Sequence, residues 1–96
     1  MRQAYLVTYD ICEPKRLRQV FMIMKGYGDH VQLSVFRCEL SARERAELRA
    51  QLLDVVDMQA DQVLFVDLGP ADGRARACIE SVGRAYVHPE RAAVVV

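Results

Sequence analysis

The residue best placed for chemistry is Asp10, a carboxylate that ends the apolar run at residues 4–9. The run is aromatic, branched and aliphatic except for Thr8, a composition that favours a β-strand. Pro14 follows four residues later and suits the first position of a helix. An acid at the end of a strand, just before a helix, can ligate a metal ion or act as a general base. Asp also favours plain turns, and these residues alone do not decide between the two interpretations.

A single carboxylate is a weak metal site, so a second copy of the chain would have to complete it. Magnesium retains several waters and needs only one or two carboxylates, and twofold symmetry would bring two copies of Asp10 together. The ion would then activate water against a phosphodiester and stabilise the developing charge. Glu13 is the acid nearest to Asp10 in sequence, whereas Asp61 and Asp67 flank a later predicted strand and are interpreted as solvent-facing strand ends.

Other chemistries find little support. The two histidines, His30 and His88, occur without a G-x-S-x-G motif, and the Gly26-Tyr27-Gly28 segment lacks the third glycine of a phosphate-binding loop. The three cysteines are far apart and form no C-x-x-C pair, which predicts reduced thiols in a cytoplasmic protein. We expect no export signal, because no charged-then-apolar leader opens the given sequence, and no apolar run in it approaches the length of a membrane span.

Three cations, Lys15, Arg16 and Arg18, crowd the start of a predicted helix. The helix is indicated by apolar residues spaced at i, i+3, i+4 and i+7, namely Leu17, Val20, Phe21 and Met24. Cations at a helix start oppose its dipole. Either an anion such as a phosphate meets the free N–H groups there, or the cations form a solvated basic face.

The formal net charge of the 96 residues is zero, which argues against a general polyanion binder. The charge is nevertheless uneven, because residues 1–37 carry six basic and three acidic side chains. A nucleic-acid surface is therefore expected in the first third of the chain, or where two chains meet.

Later segments supply the remaining elements. Residues 30–40 form either one long strand or a hairpin that turns near Leu33-Ser34. Ser41 and Glu44 match a capping box, and the helix that follows directs Leu48, Leu52 and Val55 inward. Gly26 or Gly28 is expected as a left-handed cap of the first helix. A strand at 61–68 is closed by Gly69-Pro70, and 78–82 is expected to be short and extended.

The apolar run at 92–96 is expected to pair with a sheet edge, in its own chain or in another subunit. The element order predicts an α+β, ferredoxin-like βαββαβ sandwich with an extra C-terminal strand. We expect one domain, with a core at residues 1–82 and a tail at 83–96 that carries the exchanged strand.

Four motifs occur at characteristic spacing: Tyr9-Asp10-Ile11, the basic helix start from Lys15 to Val20, Tyr27-Gly28, and the V-Q-x-S-V-F pattern at residues 31–36. Together they resemble the CRISPR-associated protein two family. The resemblance implies a homodimer with an exchanged C-terminal strand. It also implies a magnesium-dependent endonuclease acting on single-stranded RNA or double-stranded DNA. The dimer would work in antiviral defence with the integrase, CRISPR-associated protein one, to insert new spacers into the CRISPR array.

Site residues follow from the same resemblance. Asp10 matches the metal-binding aspartate, and Tyr9 is expected beside it as a catalytic residue. The expected nucleic-acid contacts are Lys15, Arg16, Arg18, Ser34 and Phe36.

Two positions depart from the family pattern: His30 replaces an arginine of many members and Arg37 replaces a glutamate, which leaves substrate preference open. Two alternative functions stay open, a non-catalytic DNA-binding scaffold of the integration complex and a ribonuclease toxin of the virulence-associated protein D kind.

Overall fold

The structure, a computed structural model, describes residues 1–87. In chain order the elements are β1 (Gln3–Asp10), α1 (Pro14–Lys25), β2 (Gly28–Gln32), β3 (Val35–Leu40), α2 (Ala42–Leu53), β4 (Gln62–Pro70) and a short 3-10 helix (Arg74–Ala77). The four strands form one sheet in the order β2-β3-β1-β4, and all neighbouring pairs are antiparallel. The ferredoxin-like prediction is confirmed, while the predicted strand at 92–96 lies outside the described residues.

One face of the sheet packs against both helices. Alternate residues of β1 point inward, and they join apolar side chains from α1, α2 and β3. The buried cluster consists of Tyr5, Val7, Tyr9, Val20, Met24, Phe36, Cys38, Leu40, Leu48 and Leu52. The inward positions predicted from spacing are confirmed for Val20 and Met24 of α1 and for Leu48 and Leu52 of α2. Leu17 is instead 38% exposed, and Phe21 and Val55 are only half-buried, Val55 because it follows the end of α2.

The α1 helix ends without a left-handed residue. Gly26 caps it in a right-handed conformation with φ −77°, so the predicted left-handed cap is wrong. Gly28 instead begins β2, where an added Cβ would lie 2.5 Å from Cys38 Sγ and 2.6 Å from the Arg37 carbonyl oxygen. This glycine is needed because β2 and β3 approach closely, since no real side chain tolerates such distances.

Residues 30–40 form a hairpin. The β2 and β3 strands turn at Leu33 and Ser34, which resolves the alternative that the sequence leaves open. Leu33 has φ +23°, the sole non-glycine residue with positive φ among residues 1–87. A leucine in this region is strained, so its surroundings must hold the turn in place.

The α2 helix begins as predicted. The Ser41 hydroxyl accepts a hydrogen bond from the Glu44 amide at 3.1 Å, and the Ser41 amide donates to the Glu44 carboxylate at 2.9 Å. Arg2 forms an ion pair with the same carboxylate. These donors lower the pKa of Glu44, the Ser41 amide most strongly.

The second face of the sheet is only partly covered. Arg37, 2% exposed, lies on this face and donates to the Ala75 carbonyl at 3.0 Å and to Glu39 at 2.8 Å, which anchors the 3-10 helix. Leu64 and Val66 of β4 remain 48% and 45% exposed. An apolar strip of sheet therefore faces outward.

The stretch at 78–82 was expected to be extended, but it contains no strand. The reason is that the 3-10 helix carries the chain over the second face of the sheet, so that 78–82 pairs with no strand of residues 1–87. Neither α1 nor α2, each of 12 residues, is long and apolar enough to cross a membrane.

Candidate functional site

Asp10 is exposed at the C-terminal end of β1. Strand alternation places it on the same face as Leu6 and Thr8, opposite the helices. Its carboxylate makes no hydrogen bond or ion pair with the rest of residues 1–87, and that region contains no cluster of three potential metal ligands. One exposed carboxylate fits magnesium only in part, because a second ligand must come from elsewhere.

Asp61 organises the loop that follows Asp10. Its carboxylate accepts hydrogen bonds from Arg16 Nε at 2.8 Å, from the Cys12 amide at 2.9 Å and from the Asp57 amide at 2.8 Å. The Asp61 side chain is fully shielded from solvent in this pair, whereas Arg16 remains 26% exposed. The hydrogen bond from Arg16 is the largest cause of a strongly lowered pKa of Asp61.

This arrangement corrects one prediction and bears on another. Asp61 was expected to be a solvent-facing strand end, but its side chain is shielded because β4 pairs with β1 beside the loop that leads to α1. Arg16 was expected to contact nucleic acid, but its guanidinium is held by Asp61, with Nη2 3.3 Å from the second oxygen.

The start of α1 already has an anion of its own. The Glu13 carboxylate caps the helix and accepts hydrogen bonds from the Arg16 amide at 2.8 Å and the Lys15 amide at 3.0 Å. These two bonds, from Arg16 first, lower the pKa of Glu13. Of the two alternatives that the sequence leaves open, a phosphate at these N–H groups is not favoured, because an acid of this chain already accepts hydrogen bonds from two of them. Lys15 and Arg18 remain exposed.

A cleft of about 420 Å³ opens between α1 and the β2–β3 turn. It is lined by Tyr9, Pro14, Leu17, Arg18, Phe21, Leu33 and Ser34. The structure thus brings Tyr9, Arg18 and Ser34 together, three of the residues expected from the family resemblance. The Arg18 guanidinium has no partner within residues 1–87, so it is available to an anion.

An aromatic cluster supports the base of this cleft. The Phe36 ring lies with its centroid 6.3 Å from that of Tyr9, 5.5 Å from that of Phe21 and 5.0 Å from that of His30. His30 Nε2 also lies 2.8 Å from the Leu33 carbonyl oxygen, within hydrogen-bond distance. Phe36 itself is fully buried, which makes it a support of the cleft wall and not a contact surface.

Tyr9 is 6% exposed. Burial raises the pKa of its phenol, and the hydrogen bond with Ser34 offsets part of that rise. The phenol therefore keeps its proton at neutral pH, so Tyr9 can donate a hydrogen bond but is unsuited to act as a base. Because neighbouring residues of a strand point to opposite faces, Tyr9 faces the cleft and Asp10 faces the open side of the sheet.

Sequence reasoning missed Asp61, Leu17 and Leu33 as parts of the site. A signal for Asp61 existed, since a strand paired with β1 must begin near the residues that follow Asp10. The cleft leucines carry no sequence signal, because apolar residues on a helix or hairpin are usually assigned to the core.

Comparisons with known proteins point to one family. The sequence profile of the family described as CRISPR associated protein Cas2 matches residues 3–75. A relative from Rhodospirillum rubrum, named CRISPR-associated endoribonuclease Cas2 1, is 48% identical over 97% of this chain and 90% of its own length. One from Geobacter sulfurreducens, named CRISPR-associated endoribonuclease Cas2, is 36% identical over the whole of both chains.

A solved structure agrees with these relatives. The crystal structure of Streptococcus pyogenes Cas2 matches with a TM-score of 0.72 and 34% identity, over 83% of this chain and 99% of that one.

Proposed function

The chain belongs to the CRISPR-associated protein Cas2 family, and on this premise we propose that it is an endonuclease that hydrolyses phosphodiester bonds. The names of the Rhodospirillum and Geobacter relatives, both endoribonucleases, support this proposal. The observation that carries it is the position of Asp10, which is exposed at the end of β1 directly after Tyr9, a residue that lines the cleft together with the unpaired Arg18.

Magnesium is the proposed cofactor, shared by the Asp10 residues of two copies. The exposed Leu64 and Val66 lie on the same side of the sheet as Asp10, which supports a face-to-face homodimer that would bring the two carboxylates together. Such a pair meets the modest carboxylate requirement of magnesium. The bound ion would stabilise negative charge on the scissile phosphate.

The remaining residues have distinct proposed roles. Arg18 and Lys15 pair with phosphates of the substrate, and the protonated Tyr9 phenol donates a hydrogen bond within the cleft. Arg16 and Asp61 act as positioning residues, because their ion pair and the Cys12 hydrogen bond hold the loop that follows Asp10.

Replacing Asp10 tests the catalytic assignment. We expect Asp10→Ala to reduce magnesium-dependent cleavage of single-stranded RNA or duplex DNA at least about a hundredfold, since the only proposed metal ligand is removed. The measurement is a gel assay on nuclease-free preparations with magnesium or EDTA. Asp72→Ala, which removes an exposed acid in the turn after β4, is the matched control. Equal cleavage by the Asp10 variant and the parent would remove Asp10 from the mechanism.

A scaffold role in spacer integration is the second candidate, and the exposed Lys15 and Arg18 favour it. In this role the dimer binds duplex DNA and recruits the integrase, CRISPR-associated protein one, through residues 92–96. Deletion of 92–96 is then expected to abolish co-purification with the integrase, while Asp10→Ala leaves spacer capture intact. Assembly that survives the deletion contradicts the recruitment step.

A further inference from the structure

The cleft between α1 and the β2–β3 turn presents an apolar surface that hydrolysis at Asp10 does not use. Leu33 is 90% exposed at the tip of the turn, and Leu17 is 38% exposed on the facing side of α1. Phe21 and Pro14 extend the same wall. Two exposed leucines that line one cleft of about 420 Å³ form a binding surface for an apolar or aromatic group.

Local contacts fix the shape of this cleft. Leu33 has φ +23°, a strained conformation that persists only when its surroundings impose it. The Tyr9 amide donates to the Ser34 carbonyl at 3.0 Å, and His30 Nε2 lies 2.8 Å from the Leu33 carbonyl. These contacts hold the Leu33 side chain out from the turn, opposite Leu17, before any ligand arrives.

Charge at the rim of the cleft indicates what the ligand carries. Arg18 lines the cleft without a partner in residues 1–87, and Lys15 is exposed one turn earlier on α1. Two acids near the start of α1 are already engaged, since Glu13 caps the helix and Asp61 holds Arg16, and no acid lines the cleft within residues 1–87. A ligand with a flat aromatic part and an adjacent phosphate would satisfy both the apolar wall and the free guanidinium.

We propose that this cleft binds one unpaired nucleobase of a single-stranded nucleic acid, with the adjacent phosphate on Arg18. In a duplex the base faces are stacked on each other and only groove edges and phosphates are accessible. Leu17 and Leu33 would then find no apolar partner, whereas an unstacked base offers both faces. The inference rests on the proposed function only in taking nucleic acid as the substrate.

Binding measured without metal separates this inference from catalysis. The probes are a fluorescent 12-nucleotide RNA, an abasic sugar-phosphate strand of the same length that carries no bases, and a DNA duplex of equal length, all in EDTA. The variants are Leu17→Gln, which suits a helix, and Leu33→Asn, because Asn tolerates positive φ. Met22→Gln is the matched control, since Met22 is 59% exposed on the same helix but does not line the cleft.

Each cleft variant is expected to bind the intact RNA about tenfold more weakly, as for loss of one stacked base. The parent should bind the abasic strand comparably weakly, and the variants should weaken that affinity no further. Duplex affinity should stay unchanged, and Met22→Gln should match the parent. The comparison of the intact with the abasic strand in the parent protein needs no variant, so it remains valid even where a variant fails to fold.

Three results would overturn the inference: unchanged affinity for the intact RNA, an equal loss on the duplex, or a lower molecular mass of the variants in light scattering. The last result would assign the leucines to a contact between proteins. Parent protein that cleaves RNA but binds intact and abasic strands equally refutes the base site and leaves the nuclease proposal standing. Parent protein that binds the intact RNA more tightly than the abasic strand but cleaves nothing supports the base site and refutes the nuclease proposal.

Discussion

Arg16 and Arg18 lie two positions apart on α1, yet the structure gives them different tasks. Arg16 is held by the shielded Asp61 carboxylate, whereas Arg18 projects into the cleft without a partner in the described part of the chain. Their residue types are identical, so only the position of Asp61 separates a structural cation from one that can bind a ligand.

We therefore expect Arg18→Ala to weaken nucleic-acid binding about tenfold at low salt and to reduce the dependence of log affinity on log salt by about one unit. Its melting temperature should equal that of the parent. Arg16→Ala should leave the salt dependence of binding unchanged and lower the melting temperature by several degrees. Titrations at several salt concentrations, together with thermal melts, measure both effects. A fall in the salt slope for Arg16→Ala that equals the fall for Arg18→Ala would contradict this division.

At the scale of elements, the key contact joins the β1–α1 loop to the start of β4. Asp61 precedes β4 and reaches Cys12 and Arg16, which are 49 and 45 residues away in sequence. The β1–β4 pairing, with Asp10 opposite Gln62, makes this contact possible. Through it, the sheet register determines where the loop after Asp10 lies.

This contact predicts a dependence of stability on pH. The pKa of Asp61 is lowered in the fold, so the folded state holds this carboxylate ionised more readily than the unfolded chain does. The stabilisation is fully present above about pH 4, the ordinary pKa range of aspartate, and is lost as pH falls through the lowered folded value.

We expect Asp61→Asn to melt several degrees below the parent at pH 7, and the difference to shrink as pH falls below about 4. Glu13 and Glu44 also have lowered pKa values, so the variant should keep part of its own acid sensitivity. Asp72→Asn is the control, and thermal melts between pH 2 and pH 7 are the measurement. A difference in melting temperature that stays constant over this range would exclude ionisation of Asp61 as the cause.

At the scale of the whole molecule, the two faces of the sheet have different environments. One face is closed by α1 and α2, and the other is only partly covered, by the 3-10 helix anchored on Arg37. Leu64 and Val66 stay exposed on that second face, on the side of Asp10. The proposed homodimer would cover them and complete the metal site in a single step.

Val66→Lys is accordingly expected to convert the protein to a monomer and to abolish magnesium-dependent cleavage together, because each site needs two chains. Light scattering and the cleavage assay measure the two effects on the same sample. Met58→Lys, at a residue 73% exposed in the segment between α2 and β4, should leave both unchanged. A monomer that cleaves at the rate of the parent would show that one Asp10 is sufficient.

Much of this protein was determined by local sequence. The run before Asp10, the proline at the start of α1 and the Ser41–Glu44 capping box each specify their element through short-range chemistry, and the element order predicted the ferredoxin-like fold. The four motifs likewise identified the family. Each of these signals lies within a few residues, where propensity and capping act.

Tertiary structure alone decided how the site is assembled. The ion pair of Arg16 with Asp61, the anion supplied by Glu13 and the cleft between Leu17 and Leu33 depend on strand register, helix placement and a strained turn. The sequence misassigned Asp61 because a carboxylate before a strand is usually solvated, and only pairing of β4 with β1 shields it. Contacts between residues distant in sequence depend on packing, which no local pattern records.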